Sequence, residues 1–133
     1  MNTSNSAGLD PAAKGLAYVV DDNAMLVEFA AVLLEAACYE VRQFLDPKVV
    51  LLALRDANPK PALLVTDYEM GEMNGLELIL SAHKIHPSLK TLLVSGTVDD
   101  SIILTHTAKV HRFMGKPYEP AELQKAAAEL MKS

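Results

Sequence analysis

A doubly wound α/β fold, a five-stranded parallel sheet with helices on both faces, follows from three observations on the sequence. From Leu16 onward, short apolar runs of the strand type alternate with longer helical stretches. The runs Ala62 to Val65 and Leu92 to Val94 are apolar throughout, as in central strands covered on both sides. The stretches between strands have the length of helical crossovers, and such crossovers join parallel strands with a right hand.

Each element has its own local reason. Residues 1–15 are small, polar and without period, and read as a flexible leader; residues 16–133 form the domain. Leu16 to Val20 is the first strand; it ends in Asp21-Asp22-Asn23, a cluster of good helix caps before a helix from Ala24 to Ala37. Glu40 to Phe44 is the second strand, followed by a helix opened by Asp46-Pro47 and closed before Asn58-Pro59. Ala62 to Thr66 is the third, with a loop from Asp67 to Asn74 and a helix from Gly75 to about His86. Leu89 to Val94 is the fourth, then a shorter helix near Asp99 to Thr107. Val110 to Met114 is the fifth, and Pro120 to Met131 an alanine-rich last helix.

Composition narrows the function. A chain of 133 residues, 50% apolar, can bury one core and reads as one domain. With Lys+Arg at 12 against Asp+Glu at 17, a net charge of -5 and a pI near 5.3, it lacks the basic balance of a nucleic-acid-binding domain. A single cysteine, Cys38, forms no internal disulfide and suits a reducing compartment. No apolar run approaches the roughly 20 residues that span a bilayer, and the N-terminus lacks a signal-peptide pattern. A soluble, cytoplasmic protein without membrane contact is expected.

In doubly wound sheets ligands sit beyond the carboxyl ends of the strands. There the sequence places Asp21 and Asp22, Asp67, Ser95, and Lys116-Pro117. Carboxylates so gathered repel one another; at an effective dielectric near 20, a pair about 4 Å apart costs roughly 4 kcal/mol. They call for a small oxygen-seeking cation, and magnesium fits. Asp67 could then act as a nucleophile toward phosphorus, with Lys116 and Ser95 cradling the phosphoryl group.

Four motifs, Val20-Asp21-Asp22, Asp67 to Gly75, Val94-Ser95-Gly96 and Phe113 to Pro117, stand in this order at four strand ends. In this the chain resembles the response-regulator receiver domains of two-component signalling, from Leu16 to about Met131. The resemblance implies a flavodoxin-like strand order 2-1-3-4-5. It makes Asp67 the phosphoacceptor, and Asp22, Asp67 and the backbone carbonyl of Glu69 the holders of Mg2+, with Asp21 assisting. Ser95 becomes the switch hydroxyl, Phe113 the aromatic that follows it, and Lys116 the cation on the phosphoryl group. The Lys116-Pro117 peptide resembles one that is commonly cis in the family. The implied donor is a histidine kinase or phosphotransfer protein, and the implied output is binding of a downstream protein, with no nucleic acid and no membrane. The protein is then no enzyme, beyond catalysing its own phosphorylation and dephosphorylation.

Alternatives stay open. A stand-alone receiver is expected because the chain ends at Ser133; a receiver module of a hybrid kinase or longer regulator, or a pseudo-receiver that binds partners without phosphorylation, shares the same pattern. A magnesium phosphohydrolase with an aspartyl nucleophile is disfavoured, since Asp67 has no second aspartate two residues on. His83, His86, His106 and His111 lack zinc-ligand spacing.

Departures from the family pattern carry expectations too. Gly71 stands where a proline is usual and should loosen the loop. Cys38 stands where a glycine often ends the first helix, so that helix should end without a left-handed cap, at a cost of about 1 kcal/mol. The first helix carries more apolar surface, Met25 to Leu34, than one sheet-facing stripe needs, which points to kinase docking or a homodimer. His106, Lys109, His111 and Arg112 should make one edge basic.

Overall fold

The computed structural model describes residues 13–96 and 109–132. Five parallel strands, β1 (Leu16–Val20), β2 (Glu40–Phe44), β3 (Leu63–Asp67), β4 (Lys90–Ser95) and β5 (Arg112–Gly115), form one sheet in the order β2-β1-β3-β4-β5. Four helices are described: α1 (Ala24–Ala36), α2 (Pro47–Arg55), α3 (Gly75–Ile85) and α4 (Pro120–Lys132). The predicted fold class and strand order both hold. Strand bounds differ by a residue or two at β3, β4 and β5, where apolar runs do not show which end the ladder pairs. The helix expected near Asp99 to Thr107 lies outside the described residues, as do residues 1–12 of the expected leader. At the leader's end the Lys14 N–H donates to the Cys38 carbonyl at 2.7 Å, and the Glu40 N–H to the Gly15 carbonyl at 2.9 Å.

Strand alternation divides the core in two. Tyr18, Val20, Leu64 and Leu93 face one side with Leu54 of α2 and Ile79 of α3. Ala17, Val19, Leu63, Val65, Leu92 and Val94 face the other, with Leu34 of α1 and Leu123 of α4. A strand covered on both faces reads as unbroken apolar sequence, which explains the runs in β3 and β4. Parallel register brings the carboxyl ends level: Val20 pairs with Thr66, Asp67 with Val94, and Ser95 with Gly115.

The end of α1 corrects one expectation. Cys38 itself adopts a left-handed conformation, φ 75°. The Cys38 N–H donates to the Glu35 carbonyl at 2.9 Å and the Tyr39 N–H to the Leu34 carbonyl at 3.1 Å. Those two bonds are a Schellman cap. The glycine usual there is missing, but the cap is built; Tyr39 buried against Leu34's side of the core supplies the hydrophobic contact that holds it.

The expected basic edge is also corrected in part. Arg112 pairs with Glu129 at 2.6 Å. His111 turns toward Thr91, whose backbone N–H donates to its Nδ1 at 3.1 Å. Burial first, then the charges of Lys90, His83 and Lys109, lower its pKa, so His111 favours its neutral form. Of that segment's described residues, Lys109 and the Glu129-paired Arg112 are the exposed cations; His106 lies outside the described residues. The apolar excess on α1 is real: Met25, Leu26, Phe29 and Val32 are all exposed.

Candidate functional site

The loop after β1 leaves its carboxylates available because another residue caps the helix. Asn23 caps α1, its side-chain oxygen accepting from the N–H groups of Met25 at 3.0 Å and Leu26 at 3.2 Å. Asp21 and Asp22 are therefore released from capping α1; Asp21 Oδ1 accepts the Asn23 N–H at 2.9 Å, which orients it. Asp21 is buried and Asp22 exposed. Asp67 closes β3 and is 9% exposed. One oxygen from each of Asp21, Asp22 and Asp67 lies within 4.8 Å of the others.

Lys116, just past β5, reaches across to this cluster. Its Nζ lies 2.9 Å from Asp67 Oδ1 and 3.1 Å from Asp21 Oδ2. Its position follows from the ladder, since the Lys116 N–H donates to the Ser95 carbonyl at 2.9 Å, and the following peptide, Lys116–Pro117, is cis. Burial disfavours the Lys116 charge, but hydrogen bonds and the charges of Asp67 and Asp21 outweigh it and raise its pKa. For Asp67 the balance falls the other way: burial raises its carboxyl above the ordinary value, with Asp21 adding to it, although Lys116 opposes the shift. Two buried carboxylates share one ammonium, so negative charge is under-compensated.

Ser95 ends β4, 2% exposed and one rung beyond Asp67's partner Val94. Phe113, half-buried on β5 opposite Leu93, packs on the α2–α3 side of the core. Glu69 is exposed in the loop after Asp67. That loop is anchored by buried Met70 and by a reciprocal capping box between Asn74 and Glu77, both bonds 2.9 Å. Gly71 takes φ +66°, a conformation closed to the proline usual there, whose ring holds φ near -65°. Its neighbour Glu72 pairs with Lys48 of α2 at 2.6 Å. Thus Asp21, Asp22, Asp67 and Lys116 are in one cluster, Ser95 stands at the adjoining strand end, and Phe113 lies two rungs below Ser95 along the sheet.

Two features were not singled out from the sequence. Asn23 was read only as part of a cluster, though an Asx residue directly before an apolar helix is the usual cap. Tyr118, whose ring lies 6.0 Å from that of Phe29, has no local sequence signal, because their approach depends on how α1 and β5 pack.

The response regulator receiver domain family model matches residues 17–128. The chain belongs to this family. Among relatives of this receiver, a putative two-component response regulator of Arabidopsis thaliana, ARR21, is 29% identical over 110 residues, 80% of this chain and 17% of the relative. The CAI-1 autoinducer sensor kinase/phosphatase CqsS of Vibrio cholerae is 32% identical over 103 residues, 74% of this chain and 15% of the relative. The receiver thus spans less than a fifth of either protein. A CheY-like response regulator receiver domain protein from Methanospirillum hungatei superposes with a TM-score of 0.80 at 24% identity, covering 88% of this chain and 93% of that one. No described helix of the receiver is long and apolar enough to cross a membrane.

Proposed function

We propose that this receiver is a phosphorylation-dependent switch in which Asp67 accepts a phosphoryl group from a phosphohistidine on a histidine kinase or phosphotransfer protein. The observation that carries the reading is the meeting of Asp67, Asp21 and Lys116 within hydrogen-bond reach at the carboxyl edge of the sheet. Such a cluster is costly to keep without a functional reason, since Asp21 and Asp67 share one lysine while Asp22 adds a third carboxylate beside them.

The donor set fits Mg2+: all-oxygen, clustered within 4.8 Å, and partly open to water through exposed Asp22. Asp21, Asp22, Asp67 and the Glu69 backbone carbonyl would hold it, and bound there it would supply charge neutralisation for Asp67 and for the incoming phosphoryl oxygens. Asp67 attacks phosphorus through a carboxylate oxygen; the P–N bond breaks and its electron pair returns to the imidazole. Lys116, with three donors, passes from the carboxylates to the new phosphoryl oxygens. Ser95 turns its hydroxyl toward the phosphoryl group, and Phe113 follows into the space released, changing the surface near β5 that a downstream protein reads. The protein acts on itself alone, forming and hydrolysing its own phosphoaspartate, and works in the cytoplasm.

Incubation with Mg2+ and acetyl phosphate, followed by intact-mass measurement, tests this. One phosphoryl group per chain is expected, and none on Asp67→Asn. An unlabelled wild-type protein under conditions where its fold is intact would support a pseudo-receiver instead.

A further inference from the structure

Beside the acidic cluster lies a cavity of about 280 Å³. Its walls are almost wholly apolar: Val19, Val65 and Val94 from the sheet, Leu26, Phe29 and Ala30 from α1, and Tyr118 beyond β5; Asp21, Asp67 and Lys116 are its polar members. Leu26 and Phe29 are 38% and 42% exposed, so they form the rim, whereas Val19 at 2% and Val94 at 3% form the base. Phe29 and Tyr118 face each other across a ring separation of 6.0 Å. A dry cavity of about 150 Å³ lined by aliphatic and aromatic side chains already admits benzene. This one is larger and has its charged groups on one side only, which suits an amphipathic guest with one apolar and one phosphoryl end.

We infer that the cavity takes the hydrocarbon of an acyl phosphate, making the receiver selective for small-molecule phosphodonors with acyl groups larger than acetyl. The inference rests on Asp67 being the phosphoacceptor. An acyl phosphate is the donor class that matches the acceptor chemically, because phosphoaspartate is itself a mixed carboxylic–phosphoric anhydride and the exchange is nearly balanced in energy. An Asp67 oxygen forms the new bond to phosphorus, the bond from phosphorus to the acyl oxygen breaks, and the carboxylate leaves with that electron pair. In-line displacement puts the leaving acyl group on the side of phosphorus away from Asp67, so its chain would have to bend back to reach the exposed rim of Leu26 and Phe29, which a chain longer than acetyl can do.

Acetyl, butyryl and hexanoyl phosphate release carboxylates of nearly equal acidity, so differences among their rates report binding. Labelling of the Mg2+-supplied wild-type protein at subsaturating donor is expected to rise about tenfold from acetyl to butyryl or hexanoyl phosphate. In Leu26→Ser and Phe29→Ser, rim changes with small folding risk, that ratio is expected to fall toward one. Equal rates for all donors in the wild type, or a ratio untouched by both variants, would overturn the inference while leaving Asp67 as acceptor. No labelling by any acyl phosphate would overturn both.

Discussion

Gly75 approaches Asp67 so closely that a Cβ built on the glycine would overlap the Asp67 carbonyl oxygen and stand 2.6 Å from Leu93 Cδ1. The contact places the start of α3 against the backbone of the acceptor residue, and the Gly75 N–H donates to the Tyr68 carbonyl at 2.8 Å. Gly75→Ala must therefore displace backbone, not merely a flexible side chain. A loss of about 1–3 kcal/mol is expected, as for overpacked cores. Urea midpoints measure it, and the rate of Asp67 labelling should fall as well, because the displaced backbone carries the nucleophile.

Among the described residues, Lys116 is the one cation that pairs with Asp67 and Asp21. Replacing it, as in Lys116→Met, leaves two buried carboxylates without their partner. About 1–3 kcal/mol of stability should be lost in metal-free buffer. Added Mg2+ should restore part of that loss, read as a larger rise in melting temperature for the variant than for the wild type.

The raised Asp67 pKa fixes a pH dependence. An acid whose pKa is higher folded than unfolded binds its proton more tightly in the native state. Its stabilising contribution is present below the ordinary carboxylate range and is lost as pH rises through the folded value. Metal-free Asp67→Asn should therefore gain on the wild type as pH climbs from about 4 to about 7. Thermal melts across that interval check the sign.

His111 runs in the opposite sense. Its pKa is lowered from 6.5, burial first among the causes, so its contribution is present above 6.5 and is lost as pH falls through the folded value. His111→Gln, which cannot gain a proton there, should flatten that acid-side loss, measured as denaturant midpoint against pH.

Cys38 is held left-handed by the cap that ends α1. Cys38→Gly removes a steric cost of about 1–2 kcal/mol and adds unfolded-state freedom worth about half that. A net gain of about 0.5–1 kcal/mol in chemical denaturation is expected.

How much of this was legible in the sequence depends on what each feature rests on. The parallel sheet rests on alternating apolar runs, its strand order on the family resemblance, and the convergence of Asp21, Asp22, Asp67, Ser95 and Lys116 on motifs at the ends of those runs. The cap at Cys38 was hidden because residue preference argues against what tertiary packing of Tyr39 imposes. The neutrality of His111 was hidden because it arises from burial first, then from the charges of Lys90, His83 and Lys109, and the sheet register decides that burial. The cavity beside Asp67 was hidden for the same reason, its walls coming from the sheet, α1 and the turn after β5.

Calorimetric titration of the metal-free protein with Mg2+ tests the central claim most directly. Binding at one site per chain is predicted, weakened in Asp22→Asn and Asp67→Asn. An intact fold that takes up no Mg2+, or binds it equally well after both substitutions, would contradict the assignment of the carboxylate cluster as the metal-holding half of a phosphoacceptor site.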